Sequence, residues 1–197
     1  MTTDLTIHGF ETSNNIKVRV ALGYKRIPYA FRAIDPADRS EILRLSGQRL
    51  TPVMQHGDVV LFDSAAILRY LEANFRDRPP LFGASRDEQW AIEDLELFAR
   101  HTLAGPMMDV VHRRVASGSV DAELQSRCQA RFAAEVGRLV AALGEREWLV
   151  GDRMSAADVT AAPVIRRVRS AGLFELPPAA ERLAPWVERV MAYDGQR

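Results

Sequence analysis

The chain has 197 residues, 47% of them hydrophobic, and its 26 basic side chains balance 26 acidic ones. The zero net charge, spread along the chain, excludes the electrostatic footprint of a nucleic-acid-binding protein, and no apolar run approaches the roughly 18 residues of a membrane span. The single cysteine, Cys128, excludes an internal disulfide framework and fits a reducing compartment. With no signal-peptide pattern at the first residues, we expect a soluble, cytoplasmic protein.

The first part of the chain alternates between strand and helix patterns. The strand-like segments are LTIHGF, YAFRAID, PVMQ and VVLF, and the helix-like segments are NNIKVRVALGYK, RSEILRLS and AILRYLEANF. This β-α-β-α-β-β-α order predicts a mixed sheet with helices on its faces. The turn tripeptide HGD between the last two strands predicts a hairpin, and therefore an antiparallel sheet edge.

A composition shift separates this part from a helical remainder. Pro79, Pro80 and Gly83 break both periodicities, as expected of a linker. From Arg86 onward the patterns are helical, in DEQWAIEDLELFARHTLAGPMMDVVHRRV, DAELQSRCQARFAAEVGRLVAALGE, SAADVTAAPVIRRVRS and APWVERVMAYD. We therefore predict an α/β domain over residues 1–78 and an all-α domain over residues 86–197. A core-facing stripe is predicted for Leu124, Cys128, Phe132, Val136, Leu139 and Leu143.

One helix start in the second part is legible from the sequence. Ser155 precedes Asp158 by three residues, a capping-box variant, and Met154 is placed to pack on Val159 as a hydrophobic staple. Pro163 lies within the same helix and is expected to kink it. This motif concerns folding and not catalysis.

Four segments together resemble the cytosolic glutathione S-transferase family, in particular bacterial members with a serine- or threonine-type site. They are TSNNIKVRVAL after the first strand, TPV opening the third strand, DSAAILRYL, and SAADV in the helical part, all in the family's order and spacing. The resemblance implies a thioredoxin-like N-terminal domain, an α-helical C-terminal domain, and a homodimer that binds glutathione and a small hydrophobic electrophile.

The resemblance also implies a glutathione-binding set. Thr51–Pro52 would be a cis peptide whose Thr51 backbone pairs with the backbone of the glutathione cysteine. Asp63 and Ser64, at a helix N-terminus, would hold the γ-glutamyl ammonium and carboxylate. Asp63 stands where the family usually has Glu or Gln, so its side chain is one methylene shorter. Both residues are also common helix caps, which is compatible with binding.

The glycine carboxylate of glutathione needs a cation or an amide. Gln48 or Arg49 would supply one, although the family's basic residue usually lies two residues before the proline, where this chain has Leu50.

Glutathione chemistry requires the thiolate, so the site must stabilise a sulfur anion. Thr12, Ser13 and Asn14 supply donors just before the first helix. Thr12 falls where many bacterial members carry the activating hydroxyl, Asn14 matches an amide found two residues later, and Ser13 stands where proline is frequent. The three residues are also typical of a simple N-cap cluster. The sequence does not rank Thr12 against Ser13.

Other reactive side chains have simpler interpretations. The four histidines (His8, His56, His101 and His112) never fall at metal-ligand spacings, so no metal site is predicted. His101, Met107, Met108 and His112 fall on the first long helix of the second part, which lines the electrophile pocket in the family. Met residues at helical spacing are more often core, and Cys128 lies on an apolar stripe.

The resemblance thus implies a glutathione transferase acting in detoxification, with glutathione as its cofactor and a small electrophile or peroxide as its substrate. Two alternatives remain open: a non-catalytic transferase-fold scaffold, and a glutathione-dependent isomerase or dehalogenase.

Overall fold

A four-stranded mixed sheet with strand order β2-β1-β3-β4 forms in the first part of the chain. The structure is a computed structural model and describes residues 4–195. The strands are β1 (Leu5–Gly9), β2 (Ala30–Ala33), β3 (Val53–His56) and β4 (Val59–Phe62). β1 pairs with β2 in parallel, whereas β3 runs antiparallel to both β1 and β4. The predicted mixed sheet and its antiparallel hairpin edge are confirmed.

Eight α-helices lie within the described residues. Three belong to the first part: α1 (Ser13–Tyr24), α2 (Ser40–Ser46) and α3 (Ser64–Asn74). The remainder contains no strand among the described residues and holds α4 (Arg86–Leu97), α5 (Gly105–Ser117), α6 (Ala122–Leu143), α7 (Ala156–Ser170) and α8 (Ala184–Met191). The predicted class, α/β followed by all-α, is confirmed.

The sequence pattern predicts one long helix at the start of the second part, and this prediction is wrong. A π-helical segment, Phe98–Leu103, follows α4, and α5 begins afresh at Gly105. Pro106 lies in the first turn of α5, where its missing N–H costs no helical hydrogen bond. His101 therefore lies on the π-helical segment and not on the same helix as Met107, Met108 and His112.

The chain divides into two compact units. The first unit runs to Leu81 and includes the tail from Ala192, and the second unit runs from Phe82 to Met191. Arg19 of α1 holds the tail, because its guanidinium donates two hydrogen bonds to the Asp194 carboxylate, at 2.9 and 2.8 Å. Both side chains are buried. This tie joins residues 175 positions apart and has no sequence signature.

The second unit is built around the predicted stripe of α6. Five of its six residues are buried, and Leu124 is half-buried. The ring centroids of Phe132 and Phe174 lie 5.2 Å apart. Burial raises the pKa of the Cys128 thiol, so this cysteine is a core residue held in the neutral form.

The start of α7 is stabilised by one buried carboxylate. Asp158 accepts hydrogen bonds from the backbone N–H groups of Leu149 and Ser155, from the Ser155 hydroxyl and from the Trp186 indole, all at 2.8–2.9 Å. The predicted pairing of Ser155 with Asp158 is confirmed, and Pro163 lies inside the same helix. Asp158 also anchors α8, because Trp186 belongs to it.

His8 is a buried base on β1. The residue is 2% exposed, and its ring lies near Gln55 of β3. Burial lowers the pKa of His8, and the nearby Arg32 and Arg44 act in the same direction, although Glu41, 3.8 Å from Nδ1, opposes them. The folded protein therefore holds His8 neutral.

This burial predicts a loss of stability in mild acid. The unfolded chain binds a proton at His8 near pH 6.5, and the folded chain does so only at lower pH, so stability falls as the pH drops below about 6.5. The contribution of His8 to the slope is at most about 1.4 kcal/mol per pH unit. Urea unfolding at several pH values measures it. His8→Gln should flatten the profile, and the matched change His101→Gln, at an exposed site, should not.

Candidate functional site

Three segments of the first unit meet through side-chain hydrogen bonds. They are the start of α1, Thr51 two residues before β3, and the start of α3. Asn15 donates from Nδ2 to the Thr12 hydroxyl at 2.7 Å and to the Thr51 hydroxyl at 2.9 Å, and Ser64 donates to Asn14 Oδ1 at 3.3 Å. The structure thus brings together Thr12, Asn14, Thr51 and Ser64, which the sequence had predicted as site residues from separate motifs.

The start of α1 carries two hydroxyls. Thr12 is the N-cap, in an extended conformation, and its hydroxyl accepts from the Asn15 backbone N–H at 3.3 Å. Ser13 is the first helical residue and is 8% exposed. The predicted N-cap role of this segment is confirmed for Thr12. The capping hydroxyl still has a proton to donate, so capping does not remove it as a ligand group.

Asn15 was missed by the sequence analysis. It is fully buried, whereas the predicted Asn14 is exposed. A signal did exist, because Thr12 and Asn15 are spaced like the two polar residues of a capping box, in which the third helical residue reaches back to the cap. The bond to Thr51, 36 residues away, has no such signal.

The Thr51–Pro52 peptide bond is cis, as the resemblance implied. Pro52 is buried, and Thr51 is half-buried beside the Asn15 amide. The first residue of β3 follows directly. The Thr51 hydroxyl therefore lies next to the start of α1.

Asp63 occupies an unusual backbone conformation, with φ +64° and ψ 112°. A non-glycine residue in such a region costs about 1–3 kcal/mol and needs support from its surroundings. Part of that support comes from its own carboxylate, whose Oδ1 accepts from the backbone N–H groups of Ala65 (2.8 Å) and Ala66 (3.1 Å). The short Asp side chain therefore folds back to cap α3, and Ser64, 6% exposed, becomes the first helical residue.

Gln48 and Arg49 are placed differently from one another. The Gln48 amide donates to the Ser46 hydroxyl at 2.8 Å and to the Leu50 carbonyl at 3.0 Å, and it accepts from the Leu50 N–H. Its hydrogen-bonding capacity is thus used to brace its own loop. The Arg49 side chain is exposed.

A second cation near this loop was not predicted. Arg39 donates to the carbonyls of Pro36 (3.0 Å) and Arg49 (3.2 Å), and its guanidinium lies 4.9 Å from the centre of the Phe10 ring. Phe10 directly precedes the segment that starts α1. Arg39 therefore links the loop before β3 to the loop before α1.

The histidines and methionines considered above as pocket or metal candidates are not gathered into one site. Met107 is buried, Met108 is half-buried, and His101 and His112 are exposed. His56 makes a 2.9 Å hydrogen bond through Nδ1 to the Tyr70 hydroxyl. Within residues 4–195 no group of three or more His, Cys, Asp or Glu side chains is arranged to hold a metal ion. None of the helices described there has the length and apolar character needed to cross a membrane.

Comparison with known families gives two matches. Residues 7–79 match the glutathione S-transferase N-terminal domain, and residues 122–189 match the glutathione S-transferase C-terminal domain. Together the two models account for most of the chain, and the first contains every predicted site residue.

Comparison with individual proteins gives the same family. The chain is 27% identical to the glutathione S-transferase GstB of Escherichia coli over 88% of this chain and 87% of that protein. It is 28% identical to FtsZ-localized protein A of Caulobacter vibrioides, over 82% and 76%. Among solved structures, rice GST1 in complex with glutathione superposes with a TM-score of 0.81 at 23% identity, covering 100% of this chain and 92% of that one. At that identity the superposition establishes the fold alone.

Proposed function

Because the chain belongs to the glutathione S-transferase family, we propose that its first unit binds glutathione and activates the thiol for attack on a small electrophile or peroxide. The observation that carries this proposal is the convergence of the Thr12 hydroxyl, the Thr51 hydroxyl and the start of α3 through the Asn15 and Ser64 hydrogen bonds. These groups offer donors for an anionic sulfur and for a carboxylate within one polar cluster. The glutathione held by the rice structure supports the choice of ligand.

Each end of glutathione has a proposed partner. The cysteine backbone pairs with the backbone of Thr51, next to Pro52. The γ-glutamyl carboxylate lies at the N-terminus of α3, where the Ser64 hydroxyl turns from Asn14 to the ligand, and the Asp63 carboxylate receives the ammonium. The glycine carboxylate is bound by Arg49, and Gln48 contributes only by ordering the loop.

The proposed chemistry is nucleophilic substitution by sulfur. The bound thiol loses its proton to solvent, and the thiolate is stabilised by the Thr12 hydroxyl, with Ser13, Asn14 and the α1 N-terminus close by. The sulfur then bonds to an electrophilic carbon, and the leaving group departs with the bonding electron pair. No general base on the protein is needed, since the thiolate is already formed when the substrate arrives.

One observation keeps a non-catalytic role as a second candidate. The chain is 28% identical to FtsZ-localized protein A and 27% identical to GstB, although the first match covers somewhat less of each chain. A scaffold of this fold would not need to lower the pKa of a bound thiol. A glutathione-dependent isomerase or dehalogenase would lower it, and would differ from a conjugating enzyme only in its product.

We also propose that the protein is a cytoplasmic homodimer that acts in detoxification, as the resemblance implied. A light-scattering mass of a single 22.0 kDa chain in dilute solution would exclude the dimer.

Ser64→Ala should weaken glutathione binding about tenfold or more, because a hydrogen bond to a charged group contributes about 1.5–3 kcal/mol. Isothermal calorimetry on the wild type and the variant measures this. Ser126→Ala, at an exposed position of α6, is the matched control and should bind like the wild type. Undetectable binding of millimolar glutathione by the wild type would refute the proposed function.

Thr12→Val should raise the pKa of the bound glutathione thiol by about 1–2 units, since valine keeps the shape of threonine but donates no hydrogen bond to the thiolate. Titrating the ultraviolet absorbance of the thiolate on the protein measures the shift. Ser13→Ala should change it by less than half as much. If Ser13→Ala has the larger effect, Ser13 and not Thr12 is the activating residue.

A further inference from the structure

The Thr12 hydroxyl has both of its acceptor positions occupied by one residue. The backbone N–H of Asn15 donates to it at 3.3 Å, and the Asn15 amide donates to it at 2.7 Å. A hydroxyl has two lone pairs and one proton, so only the proton is left. None of the residues 4–195 accepts that proton. The hydroxyl can therefore act toward a ligand only as a donor.

The second N–H of the same amide fixes the distance to Thr51. Asn15 Nδ2 donates to Thr51 Oγ1 at 2.9 Å, so one NH₂ group spans the two hydroxyls. Asn15 is fully buried, and a buried amide that lost these partners would pay the cost of unpaired polar atoms. The Asn15 amide therefore resists being moved away from the two threonine hydroxyls.

Gly9, the last residue of β1, makes room for this amide. A Cβ built on Gly9 would lie 1.6 Å from Asn15 Oδ1, far inside any contact distance. Oδ1 has no hydrogen-bond partner within the described part of the chain. It is thus held by packing on the glycine and not by a bond of its own, and the amide is set in place by the two threonines together with the absence of a side chain at position 9.

We propose that Asn15 is a positioning residue for thiol activation: its amide turns the Thr12 hydroxyl into an obligate donor and holds it at a set distance from Thr51, which aligns the glutathione cysteine. This inference rests on the proposed function, because it assigns to Asn15 a role in the same site. Asn15 does not touch the sulfur and acts only through Thr12 and Thr51. Without the amide, only the weaker Asn15 backbone bond holds the Thr12 hydroxyl, which can then turn and donate to another acceptor such as Thr51 Oγ1.

The test uses Asn15→Leu, which keeps the branched shape of the buried side chain and adds no charge. It removes the two amide N–H groups that donate to Thr12 and Thr51, and leaves the backbone N–H that donates to Thr12. The pKa of bound glutathione should rise by about 0.5–1 unit, the value of one ordinary hydrogen bond. At a pH where the thiol is protonated, calorimetry should find the glutathione affinity within about threefold of the wild type, a difference of about 0.6 kcal/mol. Asn74→Leu, the same change at an exposed residue of α3, is the control and should leave the thiol pKa unchanged.

Two further variants separate positioning from simple loss of folding. Gly9→Ala leaves Asn15 in the sequence but forces its amide to move, and should raise the thiol pKa in the same direction; Gly137→Ala, where a Cβ meets no atom within 4 Å, is its control. In a Thr12→Val background, Asn15→Leu should produce no further shift. Should Asn15→Leu fail to fold, judged by circular dichroism, Gly9→Ala decides.

The outcomes distinguish this inference from the proposed function. If wild-type protein binds glutathione and lowers its thiol pKa, while Asn15→Leu and Gly9→Ala keep that lowered value, the positioning role is wrong and the proposed function stands. The positioning role would also be wrong if Asn15→Leu raised the thiol pKa as much in the Thr12→Val variant as it does in the wild type. If the wild type leaves the thiol pKa at its free value of about 8.5, the thiol-activating function itself fails.

Discussion

The N–H groups that open a helix lack partners inside it, and this constraint places a polar side chain at the start of several helices of this protein. Thr12 caps α1, Asp63 caps α3 and Asp121 caps α6. In the second unit the capping box of Ser155 and Asp158 stabilises the start of α7. In the first unit the α1 cap Thr12 is linked to Thr51 through Asn15, and Ser64, next to the α3 cap, is linked to Asn14. Groups that stabilise the helix starts are therefore the same groups that form the proposed binding site.

Capping leaves different capacities on different side chains. A hydroxyl that accepts a helix N–H, as Thr12 does, keeps a proton to donate. An ionised carboxylate such as Asp63 accepts only. Ser64 follows its cap and retains a hydroxyl that donates to Asn14. These residues thus combine donors suited to a thiolate and a carboxylate with an acceptor suited to an ammonium. Glutathione carries the thiolate on its central cysteine, and the carboxylate and the ammonium on its γ-glutamyl end.

Buried polar side chains tie α1 to the rest of the first unit at several points. Near its start, Asn15 bonds Thr51; beyond its end, Lys25 donates to Glu72 of α3 at 2.8 Å and to the Pro79 carbonyl at 3.0 Å. Arg19, between them, holds the tail through Asp194. An unpaired buried charge or amide is costly, so each tie resists separation of its two segments. The loop that ends at Thr12 is thereby attached to a helix that is held at three points.

Local patterns of the sequence determined the order of strands and helices, the hairpin, the α6 stripe and the caps at Thr12 and Asp63, because each depends on residues within a turn or two of one another. The same patterns did not reveal that Gly105 and Pro106 restart a helix, or that Gln48 is used by its own loop. The Asn15–Thr51 bond and the Arg19–Asp194 pair join residues 36 and 175 positions apart. Only the tertiary structure decided them, since a single hydrogen bond between distant segments leaves no periodicity in the sequence.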